Sequence, residues 1–187
     1  MPPLPKRWLT APPLAPEVSA ALDKFNPILR QLLFNRNIHT AADADAFLSA
    51  KPPADDDPLG IADMGVTVER IEGAIRAREP VAVYGDYDTD GVTATALLVQ
   101  ALSALGADSR PYIPNRFDEG YGLNNEALSG LKAQGIKLVI TVDCGIRSND
   151  EAAHAKKIGL DLIISDHHHV GDSLPDALAV INPKRAD

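Results

Sequence analysis

From residue 63 onward, short apolar runs alternate with segments of helical periodicity. The runs are apolar throughout rather than at every second position, which indicates strands covered on both faces. Four clear runs lie at 81–84, 138–142, 162–165 and 177–181, and a weaker one surrounds 112–113. Helical patterns fall between them at about 92–105, 124–134 and 148–158. This order, with short connections, predicts an α/β fold over residues 63–187, a parallel doubly wound sheet with flanking helices.

The first 58 residues have a different pattern, because ten of them are proline. Proline fixes φ and cannot donate a backbone hydrogen bond, so residues 1–16 are predicted to form an extended arm. Apolar residues at helical spacing then predict two short helices separated at Pro27, followed by a third at about 41–49. We therefore expect a Pro-rich arm with short helices over 1–58. Asp63 and Ser148 are expected to cap the helices that follow them.

Composition narrows the class of protein. The chain has 187 residues, 45% of them apolar and 24% charged, which is typical of a globular protein with a core. Its net charge of −8 argues against a protein that coats nucleic acid through a basic surface. The excess of carboxylates could instead hold cations. The lone cysteine, Cys144, excludes a disulfide framework and fits the reducing cytoplasm. Three prolines among the first ten residues argue against a secretion signal, and no apolar run is long enough to cross a membrane.

Acidic and histidine side chains follow three of the predicted strands. The segments are Gly85–Gly91, Asp143–Gly145 and Asp166–His169. Because the carboxyl ends of parallel strands meet at one edge, these carboxylates would repel each other unless cations lay between them. Oxygen donors mixed with one or two imidazoles suit Mn²⁺ or Mg²⁺, with nitrogen favouring Mn²⁺. Two such ions about 3.5–4 Å apart would activate water and clamp a phosphoryl group, so the sequence predicts phosphoester hydrolysis.

Other interpretations of these segments are simpler. An EF-hand is excluded, because the twelfth position after Asp86 is Leu97 rather than Glu. Taken alone, Gly85–Gly91 could be a solvated acidic turn, and the histidines that follow Asp166 could be polar residues of a loop. Both interpretations stay open. Cys144 as a nucleophile is disfavoured, since no triad order is evident. The loop at 113–124 is rich in Gly, Asn and aromatic residues, and its Arg116 could bind a phosphate. Some of the aromatic residues of this region could stack on bases, and the others would belong to the core; they are Tyr84, Tyr87, Tyr112, Phe117 and Tyr121.

The order of these motifs resembles the DHH phosphoesterase superfamily. Gly85–Gly91, Asp143–Gly145 and the triplet Asp166–His168 resemble its first three metal motifs. The loop Pro114–Leu123 is similar to the RecJ branch in particular, as is the lead-in Leu33–Ile38 with Ala46–Leu48. The resemblance covers roughly residues 30–187.

The resemblance implies a two-metal exonuclease that degrades single-stranded DNA from the 5′ end in recombination and repair, using Mn²⁺ or Mg²⁺. The implied metal ligands are Asp86, Asp88, Asp90, Asp143 and His167. Asp143 would bridge both ions and act in catalysis with His167 and His168. Arg116, Tyr121 and His168 would contact the DNA strand.

One departure from the family is large. Its members continue into a fourth acidic motif and a C-terminal domain, whereas this sequence stops after Asp187. We therefore expect an N-terminal fragment with part of the active site and weak or no activity alone. Two alternatives stay open: a small-substrate phosphodiesterase for oligonucleotides or cyclic dinucleotides, and a non-catalytic scaffold of the same superfamily.

Overall fold

The computed structural model describes residues 9–51, 57–115, 120 and 122–185. The chain divides into two compact units, Met1–Asp56 and Asp57–Asp187. The domain limits expected from the sequence, 1–58 and 63–187, stay a prediction. None of the helices in the described ranges is both long and apolar enough to span a bilayer.

The first unit is built from three short helices around a small core. They are α1 (Pro16–Ala21), α2 (Pro27–Phe34) and α3 (Ala41–Leu48). Asn26 and Thr40 cap α2 and α3 with side-chain oxygens, as expected of these residue types. Pro27 begins α2 because the first helical position needs no backbone donor. Leu22 and Leu33 are fully buried between the helices, which explains why so short a segment is ordered.

The second unit is a five-stranded parallel sheet in the order β2-β1-β3-β4-β5. Its strands are β1 (Pro80–Gly85), β2 (Asp108–Tyr112), β3 (Leu138–Val142), β4 (Asp161–Ser165) and β5 (Ala179–Ile181). Its helices are α4 (Met64–Ala77), α5 (Thr89–Ala104), α6 (Asn125–Ala133) and α7 (Asn149–Lys157), with a 3₁₀ turn at Pro58–Gly60. The predicted parallel α/β sheet with flanking helices is confirmed.

Alternate residues of the central strands pack into two separate cores. Ala82 and Tyr84 of β1 lie in one core, and Val81 and Val83 lie in the other. Each fully buried large apolar side chain contributes about 1.5–3 kcal/mol, so β1, β3 and β4 are held firmly on both faces. The carboxyl edge of these three strands is therefore a rigid platform.

Neither predicted helix cap forms. Asp63 has a left-handed backbone, with φ of 61°, and makes no side-chain bond to α4. Its carboxylate instead accepts hydrogen bonds from the backbone nitrogen of Val180 (2.9 Å) and from Arg185 (2.7 Å). Ser148 likewise makes no side-chain cap on α7. For Asp63, contacts far along the sequence compete with the local cap, and this competition is invisible in a short sequence pattern.

Candidate metal centre

The loop after β1 fixes two carboxylates at the amino end of α5. Asp86 is buried, and one of its oxygens accepts a hydrogen bond from the backbone nitrogen of Tyr87 at 2.7 Å. Asp88 is the N-cap of α5, and its Oδ1 accepts from the backbone nitrogens of Asp90 and Gly91 at 3.0 and 3.1 Å. An ionised cap is favoured there by the helix dipole. Both carboxylates are thus oriented by backbone donors.

The turn after β3 places Asp143 opposite these carboxylates. Asp143 has a left-handed φ of 62°, a conformation that non-glycine residues seldom adopt. Its backbone nitrogen donates to the carbonyl of Ser165 at 3.1 Å. The buried hydroxyl of Thr141 donates to the carbonyl of Cys144 at 2.8 Å and so closes the turn. These bonds hold the unusual backbone of Asp143, whose side chain is only 7% exposed.

The loop after β4 is organised by Asp166. Its Oδ1 accepts from the backbone nitrogens of His167 (2.7 Å) and His168 (2.9 Å) and lies 2.7 Å from Nδ1 of His168. Its Oδ2 accepts from the backbone nitrogen of Ile146 at 3.0 Å. The Asp166 side chain is 2% exposed, whereas both imidazoles are about half exposed. Asp166 therefore positions the two histidines.

Asn182 supports the same loop from the end of β5. It is 2% exposed, and its amide nitrogen donates to the carbonyl of His168 at 3.0 Å. Its amide oxygen accepts from the backbone nitrogen of Lys184 at 2.8 Å. The supporting roles of Asn182, Thr141 and Asp166 are not among the predictions made from the sequence. Asn182 carried a usable signal, since it is a polar residue directly after the last predicted strand.

These loops bring potential ligand atoms into two overlapping groups. One group contains Asp86, Asp88 and Asp143, and the other contains Asp143, His167 and His168. Within each group, one donor atom per residue lies within 4.8 Å of the others. Nε2 of His167 is 2.9 Å from Oδ1 of Asp143, the residue that the groups share. Oxygen donors with imidazole nitrogens at this spacing fit a Mn²⁺ or Mg²⁺ site.

The electrostatics of Asp143 and Asp166 differ. Burial raises the pKa of the Asp143 carboxyl, the hydrogen bond with His167 opposes this, and the Asp88 carboxylate raises the pKa further. Burial also disfavours the charge on Asp166. There, hydrogen bonds from the backbones of His168 and Ile146 outweigh burial and lower the pKa. Asp166 is thus stabilised as an anion by the protein itself, whereas a cation would relieve the charge on Asp143.

One predicted metal ligand lies outside these groups. Asp90 is exposed in the first turn of α5 and belongs to neither group. Arg116 and Tyr121 fall outside the described residues. Among the aromatic residues of that region, Tyr84 belongs to the core: it is fully buried, and its hydroxyl donates to the carbonyl of Gly122 at 2.9 Å.

Two grooves meet at Asp166. The first, here called the α5 groove, has a volume of about 540 Å³. Its lining includes Asp90, Leu97, Asp143, His167, Ile181 and Pro183. The second, the α7 groove, has a volume of about 490 Å³ and is lined by residues that include Gly122, Arg147, Ser148, Glu151, His168 and His169.

Cys144 should be unreactive in the folded protein. It is 1% exposed, and burial, followed by the carboxylates of Asp166 and Asp86, raises the pKa of its thiol. Because the thiolate is the reactive form, we expect modification by a disulfide reagent to be at least about 100-fold slower than for an exposed thiol. A Ser103→Cys variant supplies that exposed thiol in the same chain, so it should show one fast and one slow phase. Fast labelling of wild-type protein would show that Cys144 is accessible.

The family model described as "DHH family, N-terminal domain" matches residues 80–187. Among curated proteins, the chain is similar to the single-stranded-DNA-specific exonuclease RecJ of Bacillus subtilis, with 41% identity over 181 residues. That alignment covers 96% of this chain and 23% of the relative. RecJ of Salmonella typhimurium is 41% identical over 162 residues, covering 86% of this chain and 27% of the relative. The chain thus spans about a quarter of the length of these relatives.

Solved structures agree with the sequence comparisons. A crystal structure of exonuclease RecJ bound to manganese superposes with a TM-score of 0.64 at 37% identity, covering 72% of this chain and 34% of that one. RecJ of Thermus thermophilus in complex with Mn²⁺ gives 0.62 at 34% identity, covering 94% and 24%. Because the family model matches more than half of the chain, and the relatives share both its sequence and its parallel sheet, this chain belongs to the DHH family.

Proposed function

We propose that this chain carries the metal-binding core of a RecJ-type enzyme, which hydrolyses phosphodiester bonds of single-stranded DNA from the 5′ end in recombination and repair. The observation that carries the proposal is the convergence of three separate strand ends on one centre, with Asp143 shared by two ligand groups. The names of the RecJ relatives supply the substrate, single-stranded DNA. The single cysteine supports a cytoplasmic setting.

In this proposal Asp86, Asp88, Asp143 and His167 would hold two divalent ions, with Asp90 as a further ligand; Asp143 is the residue that the two ligand groups share. When bound, two such ions supply an activated water and offset the charge that develops on the phosphoryl group. The backbone bonds to Asp88 and the turn around Asp143 fix these carboxylates before a ligand arrives. A preformed set of donors has little reorganisation to undergo during the reaction.

His168 is proposed to face the substrate phosphate. Asp166 holds its Nδ1 at 2.7 Å, so the ring is oriented and its other nitrogen is left for the substrate. The resemblance to RecJ proteins assigns Arg116 to a phosphate and Tyr121 to the strand.

The proposal is tested with 5′-labelled single-stranded DNA and Mn²⁺. Since the chain spans about a quarter of its RecJ relatives, we expect weak Mn²⁺ binding by calorimetry and little or slow release of nucleotides. Any release should stop with EDTA and should be slower still on duplex DNA. Digestion at the full rate of a RecJ enzyme would refute the view that this chain holds only part of the site.

Two other outcomes would favour the alternative functions. Absence of heat on Mn²⁺ titration would favour a non-catalytic scaffold of the same family. Faster hydrolysis of dinucleotides or cyclic dinucleotides than of long single strands would favour a small-substrate phosphodiesterase. Either result would overturn the proposed exonuclease.

A further inference from the structure

Arg147 occupies a distinctive position beside the metal centre. It is exposed in the α7 groove, and its Nε donates to the backbone carbonyl of His169 at 3.0 Å. This bond ties the guanidinium to the loop that carries His167 and His168. Among the described residues that line the two grooves, Arg147 is the one lysine or arginine. Within the described part of the chain, the α7 groove has such a basic side chain in its lining and the α5 groove does not.

The guanidinium of Arg147 makes no ion pair with any described residue. Four arginines of the described part of the chain, Arg70, Arg76, Arg110 and Arg185, contact carboxylates at 2.7–3.1 Å. Glu151, in the first turn of α7, lines the same groove as Arg147, yet Arg147 donates to the carbonyl of His169 instead. With Nε engaged, both terminal nitrogens stay available in a planar fork that matches two oxygens of a phosphate.

The two grooves differ in their suitability for a polyanion. Three carboxylates line the α5 groove, from Asp90, Asp143 and Asp166, together with apolar residues such as Leu97. The α7 groove is lined by two carboxylates, those of Glu151 and Asp166, but it also contains Arg147 and the amino end of α7, where backbone N–H groups favour negative charge. Phosphates that lie beyond the reach of the metal ions are therefore better accommodated in the α7 groove.

We infer that Arg147 binds a phosphate of the DNA strand next to the one that is hydrolysed, and that the strand runs along the α7 groove. This inference rests on the proposed function. The bond from Nε to the histidine loop fixes the guanidinium relative to His168, so that a strand held by Arg147 is also aligned with the centre. Because the contact is to a phosphate of the DNA backbone and not to a base, binding through Arg147 should be independent of DNA sequence.

The test measures binding of a 5′-phosphorylated oligothymidylate to the whole chain in Mn²⁺ at several KCl concentrations, at low temperature, with intact DNA verified on a gel. Arg147→Gln should weaken binding about tenfold and reduce the slope of log K against log[KCl] by about 0.7, the loss of one phosphate contact on a single strand. Arg147→Lys should restore the slope and only part of the affinity. Arg110→Gln, with the same charge change on β2, should leave the slope close to wild type.

Each of the other possible results would contradict a specific claim: the phosphate contact of Arg147, or that contact together with DNA as the substrate. If wild type binds DNA and the slopes of Arg147→Gln and Arg110→Gln are equal, the inference fails and the proposed function stands. If the Mn²⁺ affinity of Arg147→Gln falls in parallel with its DNA affinity, Arg147 acts by holding the histidine loop, and the phosphate contact is wrong. If wild type binds no DNA but hydrolyses dinucleotides, the inference and the DNA assignment fail together.

Discussion

The Asp143→Asn variant should bind Mn²⁺ at least about 100-fold more weakly than wild type. Asp143 belongs to both ligand groups, so its substitution affects both proposed ions at once. Loss of a residue that merely orients a ligand costs about 10–100-fold in metal affinity, and a shared ligand should cost at least the upper value. Because wild type is itself expected to bind Mn²⁺ weakly, calorimetric titration should show a binding heat for wild type and only the heat of dilution for the variant.

Asparagine is the appropriate substitution because it tolerates the left-handed backbone of Asp143, whereas alanine would add strain. Asp176→Asn is the matched control. Asp176 is exposed and pairs with Lys156 on the surface, so this variant should keep wild-type Mn²⁺ affinity. Equal Mn²⁺ affinity of Asp143→Asn and wild type would show that the ions bind elsewhere.

The same variant should be at least as stable as wild type when metal is removed. The folded-state pKa of Asp143 is raised, so its ionised form is disfavoured by folding. Its contribution to stability is therefore present at low pH and is lost as the pH rises above the ordinary carboxyl range. At neutral pH in EDTA, the asparagine side chain avoids the unfavourable free energy of a buried carboxylate charge. A residue needed only for folding would show the opposite, lower stability with or without metal.

The sheet was predictable where burial on both faces makes a strand apolar throughout. β1, β3 and β4 are of this kind, and their predicted limits differ by at most one residue at each end from those in the structure. β2 lies at the edge of the sheet, and most of its residues are exposed or half-buried, so only its last residue stood out as a weak signal. β5 is also an edge strand, and it is shorter than its apolar run.

The sequence was sufficient to predict which strand ends form the site, but not which side chains contact each other there. Parallel pairing places the residues after β1, β3 and β4 at one edge, which accounts for the convergence of Asp86, Asp143 and His167. Two supporting bonds join segments far apart in sequence, so no local pattern contains them: the backbone nitrogen of Ser165 donates to the hydroxyl of Thr141, and Asn182 donates to the carbonyl of His168. Asp90 illustrates a different limit of the sequence pattern. It belongs to the same motif as Asp88, yet it lies in neither ligand group.

Gly91→Ala should destabilise the second unit by about 3 kcal/mol or more and weaken Mn²⁺ binding with it. A Cβ at Gly91 would lie 2.5–2.7 Å from backbone atoms of Asp86, a distance at which one of the two segments must move. Overpacking usually costs about 1–3 kcal/mol, and here the obstructing atoms are backbone and cannot rotate away. The displaced segment begins the loop that carries Asp86 and Asp88, so the ligands should separate.

Gly73→Ala is the matched control for this experiment, because Gly73 is also inside a helix and no heavy atom lies within 4 Å of its added Cβ. Alanine should stabilise α4 there by about 0.5–1 kcal/mol. Urea unfolding followed by the reactivity of Cys144 reports on the second unit alone, since that thiol is buried within it. If Gly91→Ala and Gly73→Ala shift the midpoint equally, α5 does not lie against Asp86, and the helix does not position the two carboxylates.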